Sequence, residues 1–305
     1  MNKLLLYTVS VLLVPFSSYA KIPEGLPVVS THHYQPIDEG KDKSLQKRLN
    51  EKLASNPTWK KLADEKKMSV ALVDITDPTA PIYSAINGEN TMYAASMPKI
   101  AILLAVFQHI HDGKLEDTPA IRKDLNAMIR VSSNAAATRM IEAVGGLNEV
   151  NAVLTDPRYS LYDETHGGGL WVGKRYAKTG PRIGDPLNGI SHAASSMQVA
   201  RFYYLLATGR LVSLEASRDM LEIMSEPGIN HKFVASLNGQ VDGSDIFRKS
   251  GSWRSYHADS ALVWGDDWRR YIIVCIVESS QGDAMLTDLI TVAESILRKD
   301  IENDD

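Results

Sequence analysis

The stretch SMPKIAILLAVF, residues 96–107, is the part of the sequence that decides the fold. Apolar residues follow Lys99 almost without interruption, whereas an amphipathic surface helix keeps one polar face. The run therefore predicts a helix, from Pro98 to about Asp112, that is buried on most sides. Pro98 suits the first turn of such a helix, where its missing N–H leaves no hydrogen bond unmade. We expect a central helix with Ser96 at its start.

Ser96 and Lys99 are three residues apart, a spacing that brings two side chains onto the same helix face. A serine hydroxyl is a weak nucleophile until a neighbouring base accepts its proton. A lysine amine can be that base when burial or a second cation lowers its pKa. The same Ser-x-x-Lys spacing in residues 44–47 lies on a predicted surface helix, where we expect an ordinary solvated pair.

A second polar cluster, Ser132-Ser133-Asn134, begins another predicted helix. Taken alone, these residues are typical of an N-cap, the residue that precedes a helix and binds its first free N–H groups. Close to a nucleophile, a second hydroxyl such as that of Ser132 can pass a proton to a leaving nitrogen. The Asn134 amide can bind a peptide group of a substrate.

A third cluster, Lys249-Ser250-Gly251-Ser252, ends one predicted strand and precedes another. Gly251 has no side chain, so a substrate can lie along the strand edge, and Lys249 offers a cation for a carboxylate. The string at residues 178–180, Lys-Thr-Gly, has similar letters but lies in an irregular stretch before Pro181, with no strand beside it, so we set it aside.

The remaining segments predict a mixed architecture of helices and strands. Leucines at a four-residue spacing predict a first helix at about 43–65, and two β-rich runs around an Asp-Pro turn predict a hairpin. Helical periodicity recurs twice, three strands follow, and a helix closes the chain. The bounds of these segments are 68–75 and 81–86 for the hairpin, 119–145 and 194–224 for the helical stretches, 245–249, 258–264 and 270–278 for the strands, and about 286–297 for the closing helix.

Residues 155–191 are rich in Gly, Pro and charged residues and show little periodicity. A long irregular stretch inside a compact chain is either functional or contains an element that periodicity does not reveal. We expect it to be functional.

Composition excludes several classes of function. With 44% hydrophobic and 23% charged residues and a net charge of −4, the chain is typical of a globular protein with a sizeable core and no broad basic field. This balance argues against nucleic acid and favours a small-molecule or peptide substrate. Cys275, the only cysteine, lies in an apolar run, so we expect a buried, inert thiol and no intramolecular disulfide.

Residues 1–20 have the pattern of a signal peptide: Lys3, then an apolar run to Phe16, then small residues that predict cleavage after Ala20. An uncleaved anchor helix is the alternative, but Pro15 interrupts a run that is short for a membrane span. Residues 21–42 are predicted to be an N-terminal extension.

In this order and in these settings, the three motifs resemble the Ser-x-x-Lys, Ser-Asp-Asn and Lys-Thr-Gly set of class A β-lactamases and penicillin-binding proteins. The resemblance covers about residues 45–300. It implies an α+β fold of the β-lactamase/transpeptidase type: an antiparallel sheet flanked by the terminal helices, with a helical lobe inserted between the second and third strands. The expected catalytic domain spans 43–300, with an α/β lobe of 43–96 and 240–300 and a helical lobe of 97–239.

The resemblance also implies a role for each motif residue, namely Ser96 as nucleophile, Lys99 as base, Ser132 as proton relay, Asn134 as substrate amide ligand, and Lys249 with Ser250 and Gly251 as the strand that anchors the substrate carboxylate. The backbone N–H groups of Ser96 and Ser252 are implied to form the oxyanion hole. The implied cycle is acylation followed by hydrolysis, for which neither a metal nor a cofactor is needed.

The sequence departs from the family pattern in several places. Ser133 replaces the usual Asp, Ser250 replaces Thr and keeps the hydroxyl, and the interval from Ser96 to Ser132 is shorter than in typical class A enzymes. Class A enzymes also carry a Glu in a Glu-x-x-Leu-Asn setting that directs the deacylating water, and no such string is present. Glu164 is the only Glu within 155–191 and therefore the candidate counterpart, with an exposed loop carboxylate as the alternative.

Three functions remain open from sequence alone. If a base positions water, the protein is a β-lactamase; if none does, a D-alanyl-D-alanine peptidase or penicillin-binding role is favoured. The third is a non-catalytic module that binds wall peptides or a protein partner, against which the intact lysine-serine set argues. Trp253 and Arg254 are candidate substrate-rim residues, with simple packing as the alternative. The signal and the family together predict a periplasmic or secreted protein.

Overall fold

The computed structural model describes residues 22–29, 34–238, 245–266 and 268–301. In this part of the chain the helices are α1 (Lys43–Ala54), α2 (Pro57–Asp64), α3 (Lys99–His111), α4 (Pro119–Arg130), α5 (Asn134–Ala143), α6 (Leu147–Thr155), α7 (Ser196–Ala207), α8 (Leu214–Met224), α9 (Phe233–Leu237) and α10 (Gly282–Ile301). The strands are β1 (Met68–Asp74), β2 (Ile82–Ile86), β3 (Met92–Tyr93), β4 (Tyr162–Asp163), β5 (Gly168–Gly169), β6 (Trp171–Val172), β7 (His192–Ala194), β8 (Asp245–Trp253), β9 (Tyr256–Trp264) and β10 (Arg270–Glu278).

Five strands form one antiparallel sheet in the order β2-β1-β10-β9-β8. Strands β1 and β2 form the predicted hairpin, and β10 lies in the middle of the sheet. Helices α1 and α10 cover one face, and α7 and the helical region cover the other. Helices α3 to α9 lie between β2 and β8 in the sequence and form the helical region. The expected α+β fold is confirmed. The lobe boundaries remain predictions, and the one at 239/240 lies outside the described residues.

The central helix is confirmed in α3, where every residue from Lys99 to His109 is buried. Helices α4, α5, α6 and α8 pack around it. The helix begins at Lys99, so Ser96 lies in the turn before it rather than at its first position. Because α3 is enclosed on all sides, its N-terminal residues occupy fixed positions relative to the sheet.

The single helix predicted for 43–65 is wrong, because the structure has two helices there. Pro57 has no N–H and would clash with a carbonyl one turn earlier in a continuous helix. Asn56 instead caps α2, its side-chain oxygen accepting from Thr58 N at 3.0 Å and Trp59 N at 3.2 Å. The helical stretches 119–145 and 194–224 are confirmed as pairs of helices: α5 begins at the predicted Ser-Ser-Asn cluster, and Gly209 lies between α7 and α8.

The stretch 155–191 contains three two-residue strands, β4, β5 and β6, that the sequence analysis missed. Strands of two residues are too short to show an alternating pattern. Strand β6 pairs with β7, and β7 with β3, which leads directly to Ser96. The stretch is therefore attached to the segment that carries the expected nucleophile.

The predicted signal peptide, residues 1–20, lies outside the described residues. Of the predicted extension, Ile22, Leu26 and Ile37 are buried in the core that contains α3. No described helix has the length and apolar character needed to span a membrane.

Candidate active site

Ser96 lies in a tight turn between β3 and α3. Met97 N donates to the Ala94 carbonyl at 3.0 Å, and Lys99 N donates to the Ser96 carbonyl at 3.2 Å. Ala95 has φ of +51°, a left-handed conformation that costs free energy for a residue with a Cβ and is often found at functional sites. In the described part of the chain, neither the Ser96 N–H nor its hydroxyl has a hydrogen-bond partner, so both remain available to a substrate.

Lys99 is fully buried at the first position of α3. Its ammonium donates to the Ser132 carbonyl at 2.6 Å, to Asn134 Oδ1 at 2.8 Å and to Ser132 Oγ at 3.3 Å. Burial lowers the pKa of Lys99 to about 7. A lysine with this pKa is partly neutral at neutral pH and can accept a proton.

The Ser132 hydroxyl contacts both Lys99 and Lys249. Its Oγ accepts from Lys99 Nζ at 3.3 Å and from Lys249 Nζ at 3.0 Å. Ser132 has φ of +58°, again in the left-handed region. The next residue, Ser133, is the N-cap of α5, where its Oγ accepts from Ala136 N at 3.2 Å. The cluster thus divides its roles, because Ser133 starts the helix while Ser132 and Asn134 face the lysines.

Lys249 is buried within β8, and its ammonium also donates to the Ser250 carbonyl at 2.7 Å. Burial lowers the pKa of Lys249 well below its usual value, and the nearby charges of Lys99 and Arg248 lower it further. The expectation that the Lys-Ser-Gly cluster ends a strand is wrong, because β8 continues to Trp253. The cluster therefore has strand geometry throughout.

Gly251 approaches the Ser96 turn instead of leaving room for a substrate. A Cβ at this position would lie 2.8 Å from Ser96 N and 2.9 Å from Met97 N, and would collide with the Ala94 carbonyl. The expected reason for a glycine here is therefore wrong. Gly251 is required because the backbone of β8 and the backbone of the nucleophile turn are in direct contact.

Ser250 has a histidine partner that the sequence analysis did not identify. Its Oγ lies 3.4 Å from His231 Nε2, and His231 Nδ1 lies 3.2 Å from Asp283 Oδ1. Burial and the Arg248 charge lower the pKa of His231. Ser250 is itself buried, and His231 is a hydrogen-bond partner of its hydroxyl.

Tyr176 is a second residue that the sequence analysis missed. Its ring lies over Lys99, with 4.6 Å between Nζ and the ring centroid, and its hydroxyl donates to the Ala95 carbonyl at 3.2 Å. The ring stacks on His192 of β7 at a centroid distance of 4.3 Å. Tyr176 belongs to the stretch 155–191, and it contacts both the expected base and the turn that holds the expected nucleophile.

A third buried lysine, Lys232, also escaped the sequence analysis. It lies just before α9, and its ammonium contacts Gly251 and Ser252 of β8. Nothing in the sequence around Lys232 has the form of a motif, so only its place in the fold connects it to the site.

Glu164 lies in a short 3-10 turn, residues 164–166, and is exposed. No hydrogen bond or ion pair of the described residues joins its side chain to Ser96, Lys99 or Ser132. Its role in deacylation therefore stays a prediction.

Several residues in or next to the motifs have exposed side chains, and the predicted rim role of Trp253 and Arg254 stays a prediction. Asn134, Ser252 and Trp253 are exposed, and the Arg254 guanidinium lies 5.7 Å from the Trp253 ring centroid. Within the described ranges, no cluster of three or more His, Cys, Asp or Glu side chains has the arrangement of a metal site. Cys275 is buried in β10, as expected, and burial raises the pKa of its thiol.

A groove of about 1240 Å³ lies elsewhere, between α1 and the segment that follows β2. Its walls are formed by residues such as Lys43, Asn50 and Glu89, and none of the predicted site residues lines it. The cluster around Ser96 therefore remains the candidate active site, because it combines a hydroxyl that has no hydrogen-bond partner among the described residues with the buried cations of Lys99 and Lys249.

Solved structures with this fold include class A β-lactamases and a penicillin-binding protein. A mutant of PBP-A in an acyl-enzyme complex with penicillin G is 18% identical, with a TM-score of 0.64 over 86% of this chain and 98% of that chain. A class A β-lactamase from Bacteroides cellulosilyticus is 17% identical, with a TM-score of 0.63 over 87% of this chain and 100% of that chain. A β-lactamase from Sphaerobacter thermophilus is 19% identical, with a TM-score of 0.62 over 77% and 94%.

At these identities the likeness shows the fold alone. No curated protein matches the chain in sequence. The family model described as "Beta-lactamase enzyme family" matches residues 45–124 and 117–299, which together make up most of the chain and include all three motifs. The chain therefore belongs to the β-lactamase enzyme family, with the fold that class A β-lactamases and PBP-A share.

Proposed function

We propose that this protein is a serine hydrolase that opens a β-lactam amide through an acyl-enzyme on Ser96. The observation that carries the proposal is the pair of buried lysines, Lys99 and Lys249, that share the Ser132 hydroxyl beside the Ser96 turn. Burying a cation costs several kcal/mol unless it is compensated, so two such lysines at one hydroxyl indicate chemistry rather than packing.

The proposed acylation uses Lys99, Ser96 and Ser132 in turn. Lys99, with a pKa of about 7, accepts the Ser96 proton in its neutral form as Oγ attacks the amide carbonyl carbon. The new bond joins Oγ to that carbon, and the carbon–nitrogen bond of the ring breaks. The leaving nitrogen takes a proton from the Ser132 hydroxyl, which regains one from Lys99 through their 3.3 Å contact.

The substrate carboxylate is proposed to bind at β8. Lys249 and Ser250 are consecutive residues of this strand. His231 contacts the Ser250 hydroxyl through Nε2 and Asp283 through Nδ1. A carboxylate accepts hydrogen bonds only, so a lysine ammonium and a serine hydroxyl are suitable partners. The Asn134 side chain accepts from Lys99 through Oδ1, and its amide N–H, which has no partner among the described residues, is proposed to bind a substrate carbonyl.

A second candidate function, a penicillin-binding protein or D-alanyl-D-alanine peptidase that deacylates slowly, is favoured by a specific observation. Among the contacts of the described residues, Lys99 and Ser132 have no carboxylate partner, and the ring of Tyr176 covers Lys99. Hydrolysis of the acyl-enzyme needs a base that activates water. Without one near Ser96, the acyl group persists.

Intact mass measured over time after mixing with benzylpenicillin tests both candidates. A transient adduct with hydrolysed drug indicates a β-lactamase, and a long-lived adduct indicates the slow-deacylation role. No adduct at all refutes acylation and leaves a non-catalytic module that binds wall peptides or a protein partner.

Ser96→Ala is expected to abolish the adduct. Ser44→Ala is the matched control, because Ser44 has the same Ser-x-x-Lys spacing but is exposed on α1. An adduct that persists in Ser96→Ala, or that disappears in Ser44→Ala, contradicts the assignment of the nucleophile.

The proposed location is the periplasm or the exterior, after removal of a signal peptide near Ala20. Mass measurement of the exported protein tests this proposal, because cleavage after Ala20 leaves Lys21 as the N-terminal residue. Retention of Met1 in the exported protein contradicts it.

A further inference from the structure

Lys232 is fully buried and has an unusual backbone conformation. Its φ of +54° and ψ of −125° belong to a region that favours glycine, so a lysine here costs free energy. Burial lowers its pKa to about 8, so the ammonium is mostly charged at neutral pH. The backbone conformation of Lys232 and the burial of its charge therefore both cost the folded protein free energy.

Among the described residues, the Lys232 ammonium has hydrogen bonds to neutral oxygens and to no carboxylate. It donates to the Gly251 carbonyl at 2.7 Å, to Ser252 Oγ at 2.7 Å and to the Ala258 carbonyl at 3.2 Å. The nearby carboxylate of Asp259 is occupied by Arg248 at 2.7 and 2.8 Å. Across the described residues Lys232 thus has no ion pair, and an ordinary buried salt bridge does not explain it.

The Gly251–Ser252 peptide connects Lys232 to the site. In a trans peptide the N–H points away from the C=O, so a cation on the Gly251 carbonyl lies opposite the Ser252 N–H. Strand β8 pairs with β9 alone in the described sheet, which leaves its other edge open. Gly251 touches the Ser96 turn closely enough that a Cβ would lie 2.8 Å from Ser96 N. The N–H groups of Ser96 and Ser252 are therefore close neighbours.

We propose that Lys232 is a positioning residue that polarises the Gly251–Ser252 peptide, so that the Ser252 N–H becomes a stronger donor to the oxyanion formed when Ser96 is acylated. This inference rests on the proposed function. An ammonium on the carbonyl oxygen draws electron density from the peptide nitrogen through the amide resonance. The same contact fixes β8 against the Ser96 turn before the substrate arrives, as an oxyanion hole requires.

Substitution by methionine tests the proposal, because Met keeps the length of the side chain and removes its charge. Losing an oxyanion donor outright slows a reaction by about 10²–10³, so a weakened donor in Lys232→Met is expected to slow acylation by about 10-fold. Lys232→Gln, which keeps an N–H donor without the charge, is expected to fall between the two proteins. Lys47→Met, at an exposed lysine of α1, is the control and is expected to acylate normally.

Two measurements separate polarisation from a purely structural role. With benzylpenicillin labelled with ¹³C at the β-lactam carbonyl, the infrared band of the acyl-enzyme ester is expected at higher wavenumber in Lys232→Met, because a weaker oxyanion hole polarises the ester less. The pH profile of acylation is the second. In the wild type, acylation is expected to fall as pH rises past about 8, where Lys232 loses its proton, and Lys232→Met is expected to lose that part of the decline.

Other charged and titratable groups lie near Lys232, so the profile is compared between variants rather than assigned from one protein. These groups are Arg248 and Lys249 on β8, His257 and Asp259 on β9, Cys275 on β10, Asp283 on α10, and the adjacent His231. All of them are present in Lys232→Met, so the difference between the two profiles reports on Lys232.

The outcomes distinguish this inference from the proposed function. If the wild type forms no adduct, acylation itself fails. If the wild type forms an adduct, and folded Lys232→Met and Lys232→Gln show the same acylation rate and ester band, the inference is overturned while the proposed function stands. Slower acylation with an unshifted band and an unchanged profile also overturns it, since a structural role alone gives that result.

Discussion

Replacing Lys99 by methionine is expected to stabilise the protein at low pH while abolishing acylation. Lys99 is fully buried, and its pKa falls from the ordinary value of 10.5 to about 7 because burial penalises the charged form. Each pKa unit corresponds to about 1.4 kcal/mol, so the charged lysine costs the folded state about 5 kcal/mol.

The sign of the effect depends on pH. Between about pH 7 and 10.5 the unfolded chain binds a proton on Lys99 that the folded protein has released, so the free energy of unfolding of the wild type rises with pH. The cost is fully present below pH 7 and disappears above pH 10.5. Lys99→Met removes this cost, and therefore the advantage of the variant is largest at pH 6.

Two hydrogen-bond acceptors reduce the gain. The Ser132 carbonyl and Asn134 Oδ1 lose their donor in Lys99→Met, and a buried unsatisfied acceptor costs about 1–3 kcal/mol. Asn134 is exposed and can bind water instead. We therefore expect a net gain in the free energy of unfolding of about 2–4 kcal/mol at pH 6, with little gain or a loss at pH 10.

Urea unfolding at pH 6, 8 and 10 measures this difference. Lys47→Met, at an exposed position, is the control and is expected to show no pH-dependent difference from the wild type. Removal of the Lys99 charge also raises the pKa of Lys249, which that charge lowers, so the difference curve belongs to the coupled pair. The reasoning is refuted if Lys99→Met is less stable than the wild type at pH 6, or if the two proteins differ in their free energy of unfolding by the same amount at all three pH values.

Three further predictions concern the groups around Ser96. Gly251→Ala places a Cβ 2.8 Å from Ser96 N, which is expected to displace one of the proposed oxyanion donors. Acylation measured by rapid-mixing kinetics is therefore expected to slow about 10²-fold, and near-normal acylation contradicts the close contact. Tyr176→Leu removes a ring that stabilises the Lys99 cation by about 0.5–2 kcal/mol, so the midpoint of the pH profile of acylation is expected to move to lower pH by about 0.4–1.5 units; an unchanged midpoint argues against that contact. Glu164→Gln is expected to lengthen the lifetime of the acyl-enzyme in time-resolved mass measurements, because the sequence pattern predicts Glu164 as the residue that directs the deacylating water, and an unchanged lifetime contradicts that role.

Individual elements, such as the central helix, and the three polar motifs could be predicted from sequence because they leave local patterns, whereas the arrangement of the fold was expected from the resemblance to a known family. The apolar run after Lys99 is too dense for a surface helix, and the structure buries every residue of α3 from Lys99 to His109. The spacing within each motif also reports on local geometry. That Ser132 and Lys249, which are 117 residues apart, belong to one site was expected only from the resemblance to a known family, and their hydrogen bond is a finding of the structure.

The missed residues have in common that tertiary structure alone brings them to the site. Tyr176 comes from a stretch without periodicity and reaches Lys99 because short strands attach that stretch to β3. Lys232 and His231 lie before α9, and nothing in their local sequence marks them. Gly251 was identified for the wrong reason, because no sequence pattern reveals that the backbone of another segment occupies the space beside a glycine.

The N-cap role of Ser133 explains why this chain can lack the aspartate that is usual in the middle of its second motif. Ser, Asp and Asn are nearly equivalent as N-caps, and Ser133 Oγ already binds Ala136 N at the start of α5. In this chain the middle residue of the motif caps a helix, whereas the outer residues, Ser132 and Asn134, bind the lysines. A search pattern that demands aspartate there would pass over proteins that, like this one, keep the outer serine and asparagine, and a pattern that accepts any good capping residue would retrieve them.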